Sequence, residues 1–118
     1  MDSKLYEIVI APKVLEKISE IGDYIADNFS ETFAKKRIAD IFDSFETLQM
    51  FPQVGFDADE RVGFRIDNKH KIKGVVIPGK YIALYSIDEK KFLVNIVYLF
   101  STKEDYMNAV NHPYLRIR

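Results

Sequence analysis

Apolar residues recur along the chain with two different periods, and the change of period divides it into a helical part and a strand part. Residues 5–10, Leu-Tyr-Glu-Ile-Val-Ile, are rich in strand formers and predict a short strand. Pro12 follows at a place where a helix starts readily, because the N–H it lacks is not needed there. Val14, Leu15, Ile18, Ile21, Ile25 and Phe29 then fall three or four residues apart, with Glu16, Lys17, Glu20, Asp23 and Asp27 on the other side. This predicts an amphipathic helix. Ser30 suits the N-cap of a second helix, and Glu31 suits the positive end of its dipole. Ala34, Ile38, Ile41, Phe42, Phe45 and Leu48 form its apolar stripe. Pro52 stops it, because a residue before proline, here Phe51, is pushed out of the α region. With only two or three residues between them, the helices are expected to fold back as an antiparallel hairpin.

After Pro52 the pattern changes. Residues 53–61 read as a loop with Gly55 and the acidic cluster Asp57, Asp59 and Glu60. Residues 63–67 read as a strand, Asp67-Asn68 as a turn, and residues 70–77 as a second strand. Pro78-Gly79 is a strong turn dipeptide. Tyr81, Ala83, Tyr85 and Ile87 alternate with Ile82, Leu84 and Ser86, a strand largely buried on both faces. Residues 92–100 form the clearest strand. Thr102 with Asp105 three residues on resembles a capping box opening a short last helix, and Pro113 lies beyond it. The order β-α-α-β-β-β-β-α has no internal repeat or linker. It predicts one α+β domain over residues 1–118: an antiparallel-dominated sheet, the helical hairpin on one face, and a short C-terminal helix.

Composition narrows the chemistry. With 118 residues, 47% hydrophobic and 14% aromatic, the chain has material for a core and is not expected to be disordered. It has no Cys, which excludes a disulfide scaffold, a thiol nucleophile and thiolate metal sites. Only His70 and His112 supply imidazole, so a multi-histidine zinc site is excluded as well. No apolar run approaches the ~20 residues that span a bilayer. Met1-Asp2-Ser3-Lys4 leads into a strand and not a signal peptide. The expectation is a soluble cytoplasmic protein without a membrane role. The net charge of −1 conceals two poles: residues 1–60 hold 6 Lys/Arg against 13 Asp/Glu, and residues 61–118 hold 11 against 5. A basic pole can hold phosphate locally, within a screening length of ~8–10 Å. Alternatively, the two halves neutralise each other by packing.

Four groups of residues are candidates for chemistry. The first is the basic stretch Arg65, Lys69, His70, Lys71, Lys73 and Lys80, interrupted by Asp67. Lys71 and Lys73 have the i, i+2 spacing that places both on one face of a strand, where two ammonium groups can clamp a phosphodiester. A solvated edge strand guarded by lysines is the plainer alternative. The second is Lys103 and Tyr106, neighbours on a helix surface that bring a positive charge beside a proton donor, or simply a packed ring beside a solvated lysine. The third is the two histidines. His70 sits among cations that favour neutral imidazole, the form a general base needs, and His112 lies in a tail with Pro113, Tyr114, Arg116 and Arg118. For both, an ordinary surface residue is the plainer reading. The fourth is Asp57, Asp59 and Glu60, whose oxygens suit Mg²⁺ in type but lack any EF-hand spacing. No Gly-rich phosphate loop, GxSxG or HExxH occurs.

Several segments, in order, resemble the RelE/ParE family of type II toxin–antitoxin toxins. They are Ile21-Gly22-Asp23-Tyr24-Ile25-Ala26, Leu48-Gln49-Met50-Phe51-Pro52, the strand from Lys80 to Asp88, and Tyr98-Leu99-Phe100 through Lys103-Glu104-Asp105-Tyr106. The resemblance implies an α+β toxin neutralised by an acidic antitoxin that wraps around it. One branch of the family cleaves mRNA at the ribosome without metal or cofactor, by attack of the ribose 2′-OH on the adjacent phosphate. The other poisons DNA gyrase. Under the first, Lys71, Lys73 and Lys103 would bind and stabilise the phosphate, Tyr106 or His70 would handle protons, and Arg65, Lys69 and Lys80 would hold the nucleic acid. The chain departs from the RNA-cutting members at two places. Ile82 stands where they carry Arg, and the strand–helix junction reads Lys103-Glu104 where two arginines are common. Lysine lacks the bidentate grip of arginine on phosphate. The resemblance thus implies a metal-independent endoribonuclease first, with a gyrase-poisoning toxin, or a weakened homologue that only binds antitoxin, as alternatives.

Overall fold

The computed structural model describes residues 5–101. Strand β1 (Glu7–Ile10) leads into helix α1 (Pro12–Asn28) and helix α2 (Glu31–Met50). A single 3₁₀ turn (Pro52–Val54) is followed by the two-residue strand β2 (Phe56–Asp57) and the short helix α3 (Ala58–Val62). Strands β3 (Lys73–Ile77), β4 (Tyr81–Asp88) and β5 (Leu93–Ser101) complete the sheet. The strand order is β1-β5-β4-β3-β2. All neighbours are antiparallel except β1 and β5, which run parallel. The α+β architecture predicted from periodicity is the one observed. The predicted last helix, opening at Thr102, lies outside the described residues.

The helical hairpin forms for the reasons its sequence gives. Ser30 caps α2, its hydroxyl accepting from the Phe33 N–H at 3.0 Å. Val14, Ile18, Ile21 and Ile25 of α1 and Ala34, Ile41, Phe45 and Leu48 of α2 face the sheet. They meet Ile77, Ala83, Tyr85, Val94, Ile96 and Leu99 in the main core. Three expected members of these stripes are not in it, the first being Leu15, which is exposed on α1. Phe29 lies past the end of α1 and is 67% exposed, and Phe42 is turned partly to solvent.

The sheet's other face also carries a core, built by a segment that the periodicity misread. Residues 63–67 are not a strand: Ile66 is buried, but the chain there is a series of turns. Residues 53–61 are not a plain loop, since they hold β2 and α3. Ala58, Ile66 and Ile72 from this wrap pack on Ile82, Leu84 and Phe100. One buried carboxylate holds the wrap down. Asp59 accepts from the Ile66 N–H at 3.0 Å and the Ile72 N–H at 3.2 Å. A single side chain thereby fixes two backbone donors that no strand partner satisfies.

Candidate functional site

The basic residues come from three places, and the structure does not gather them all. Within the five strands Lys73 is the only basic residue. It sits directly opposite Tyr85 in the β3–β4 ladder, so it shares the face that the helical hairpin covers. Lys71 precedes β3. The strand-like alternation nevertheless extends back to it, because Ile72 between the two lysines is buried in the outer-face core and its carbonyl accepts from the Ala58 N–H. Lys71 and Lys73 therefore open on the same side. With Lys69 and His70 they line a recess of about 380 Å³ at the margin of the sheet, closed by Gln53, Asp57, Ile87 and Glu89.

Two other members of the predicted group lie elsewhere. Arg65 is held 3.7 Å from the buried Asp59 carboxylate and is spent on that contact. Lys80 stands in the β3–β4 turn, where Gly79 (φ 94°) and Lys80 (φ 72°) reverse the chain. That turn is at the opposite end of β3, roughly 13 Å of strand away from Lys73. Lys80 there borders a different groove, formed with Ile21, Tyr24, Ile25, Phe29, Phe33 and Arg37 of the hairpin. Lys103, Tyr106 and His112 lie outside the described residues.

His70 is placed by Asp67. The Asp67 carboxylate accepts from the backbone N–H groups of Lys69 and His70, at 3.1 and 2.8 Å, and lies 3.1 Å from His70 Nδ1. Partial burial pushes the Asp67 carboxyl up, but the backbone and ring hydrogen bonds from His70 and the Lys69 N–H outweigh it and hold the group below its ordinary value. The sequence reading set His70 in a basic stretch interrupted by Asp67; in the structure it is this one acid that His70 contacts. The acidic cluster is similarly dispersed. Asp57 caps α3 by accepting from the Glu60 N–H at 3.0 Å, while Asp59 faces inward. Among the described residues no three His, Asp or Glu side chains converge to hold a metal ion.

His70 and Asp67 also border a second recess, of about 480 Å³, on the outer sheet face. Periodicity did not mark its other polar members. Ser86 and Asn95 face each other across β4 and β5, and the Lys13 ammonium lies 3.8 Å from the centre of the Tyr98 ring. The available signal was the polar residue interrupting each of two apolar strands. The rest of this face is apolar: Ile82, at the position where arginine was expected for RNA cleavage, is 8% exposed and packs beside Leu84 and Phe100.

Comparison with known proteins places the fold. The chromosomal ParDE toxin–antitoxin system from P. aeruginosa includes a chain of similar structure, with a TM-score of 0.63 at 13% identity over 82% of this chain and 96% of that one. A mutant E. coli RelE toxin in the free state gives 0.57 at 8% identity, over 88% and 90%. The archaeal RelE–RelB complex from Pyrococcus horikoshii gives 0.52 at 14%, over 83% and 96%. No curated protein sequence matches significantly. Residues 8–106 match the family described as the ParE toxin of type II toxin–antitoxin systems, parDE. With most of its length so matched, the chain belongs to the ParE toxin family.

Proposed function

We propose that this toxin acts by binding and poisoning a protein target, DNA gyrase, and does not cut mRNA. One observation carries the reading: among the described residues, no strand places a cation on the outer sheet face, and Ile82 is buried there in an apolar cluster. Metal-free cleavage of RNA needs several fixed positive groups around one phosphate, aimed where charge develops. Here the described basic candidates do not meet on that face; Lys69, Lys71 and Lys73 gather instead at the margin of the sheet. Arg65 is paired, Lys80 is at the far end of β3, and Lys73 is on the opposite face. The match to the ParE branch supports the same reading.

The partner that silences it is an antitoxin, as in the ParDE system and the RelE–RelB complex to which the chain is structurally similar. The groove beside the β3–β4 turn suits an acidic amphipathic segment of that antitoxin. Tyr24, Phe29 and Phe33 offer exposed rings, and the rim carries Lys17, Arg37 and Lys80 against one acid, Glu20. Induced expression in bacteria tests the reading. Filamentation and DNA damage while translation continues are expected. An immediate halt of translation with cleaved mRNA contradicts it.

A further inference from the structure

We propose that the lysine margin of the sheet binds the phosphate backbone of duplex DNA, so that the toxin meets its target as a gyrase–DNA complex. The inference rests on the reading of gyrase as target. It begins from a charge imbalance left over by the fold. Lys69, Lys71 and Lys73 line one recess, and none has an ion-pair partner among the described residues. The two carboxylates in that recess are turned to other groups. Asp57 is directly opposite Lys73 in the β2–β3 ladder but accepts from the Glu60 N–H. Glu89 accepts from the Gln53 side chain at 3.1 Å. The β4–β5 turn that supplies Glu89 also carries Lys90 and Lys91, exposed and likewise unpaired among the described residues.

The surroundings select the kind of polyanion. Recognition of single-stranded RNA relies on aromatic side chains that stack on splayed bases; no Phe, Tyr or Trp lines this recess, and its one ring, His70, is held 3.1 Å from the Asp67 carboxylate. An acidic peptide would need an open strand edge or an apolar anchor pocket. The β3 edge at Lys73 and Gly74 is closed by pairing with β2, and Ile72 is buried beneath the lysines. Point charges about 6.6 Å apart along an extended chain, without base-reading groups, fit a sequence-independent contact with a duplex backbone.

Fluorescence anisotropy with the purified chain and a short labelled DNA duplex tests this across salt concentrations. The three recess lysines alone contribute about −2.7 to the slope of log K against log salt, which is about a 40-fold loss of affinity between 50 and 200 mM salt, and Lys90 and Lys91 add to it. The variant combining Lys69→Gln, Lys71→Gln and Lys73→Gln is expected to lose at least about tenfold in affinity at 50 mM salt and most of the slope. Lys35→Gln on α2 should change neither. Because these side chains are at the surface, the triple variant is expected to keep its circular dichroism and melting point. Should it unfold, Lys90→Gln with Lys91→Gln supplies the same test with a smaller loss of slope. Binding that ignores salt, equal binding by both lysine variants and the parent, or tighter binding to single-stranded RNA or poly-glutamate than to duplex overturns the proposal. Gyrase inhibition without DNA binding overturns this proposal and leaves the gyrase reading standing. DNA binding without gyrase inhibition overturns the gyrase reading and leaves only the contact between the lysine margin and the duplex backbone standing.

Discussion

Asp59 shows how much a single side chain can decide. Its carboxylate is buried and accepts from two backbone N–H groups that have no other partner in the sheet. Replacing it with alanine strands both donors, at about 1–3 kcal/mol each. Asp59→Ala is therefore expected to lower unfolding free energy by roughly 2–6 kcal/mol in urea titration. Arg65→Ala, which removes only the exposed half of the ion pair, should cost under about 1 kcal/mol. Tyr85 is a second such residue. Its hydroxyl donates to the Pro52 carbonyl at 2.8 Å and accepts from the Gly55 N–H at 3.0 Å, tying the end of the hairpin to β4. Burial raises its pKa above the ordinary 10.0, against the smaller opposing effect of the Gly55 bond. A folded value above the unfolded one means the contribution is complete below pH 10.0 and is lost as pH rises through the folded value. Parent protein should lose stability above pH 10.0 more steeply than Tyr85→Phe, as followed by urea midpoints at stepped pH. Neither role was legible in the sequence. Asp59 read as one of three clustered acids, because the donors that define it lie 7 and 13 residues further on. Local pattern carries no information about such a contact.

At the scale of elements, what the sequence revealed depended on how regular the backbone is. The two long helices announce themselves by a 3.6-residue stripe, and their ends by Ser30 and Pro52. Ser30→Ala removes the cap bond to Phe33 and should cost about 1 kcal/mol, read as a fall in melting temperature. β4 and β5 were equally plain, since their apolar residues continue through both faces of a covered sheet. The segment from β2 to β3 was not. Its apolar residues Phe64 and Ile66 alternate like a strand, but Asp59 has already claimed the backbone donors at Ile66 and Ile72. The chain turns instead of pairing. The β3–β4 turn, in contrast, was signalled by Pro78-Gly79, and Gly79 adopts a left-handed φ of 94°. A Cβ there would also stand 2.8 Å from Arg37 Nε. Gly79→Ala should cost roughly 1–2 kcal/mol and loosen the rim of the hairpin groove, measurable as weaker antitoxin binding.

For the whole molecule, the issue is where the fold leaves its charge and its apolar surface. Among the described residues, the basic half of the sequence does not become one basic face. Part of it is spent on Asp59, part stands in the β3–β4 turn, and part remains as the lysine margin. The spacing of Lys71 and Lys73 was readable beforehand. That the outer sheet face would be filled by Ile66, Ile72, Ile82 and Phe100 was not, because three separate segments have to meet to build it. The proposed gyrase reading rests on this arrangement. Among the described residues it leaves a lysine-lined edge, an aromatic groove, and an outer face without strand-borne cations. The most direct measurement puts the purified toxin into two reactions: ATP-dependent supercoiling of plasmid DNA by gyrase, and translation of mRNA on ribosomes. Loss of supercoiling with accumulation of cleaved DNA, while the mRNA stays intact, is the predicted result. Cleaved mRNA with supercoiling unimpaired would contradict the account.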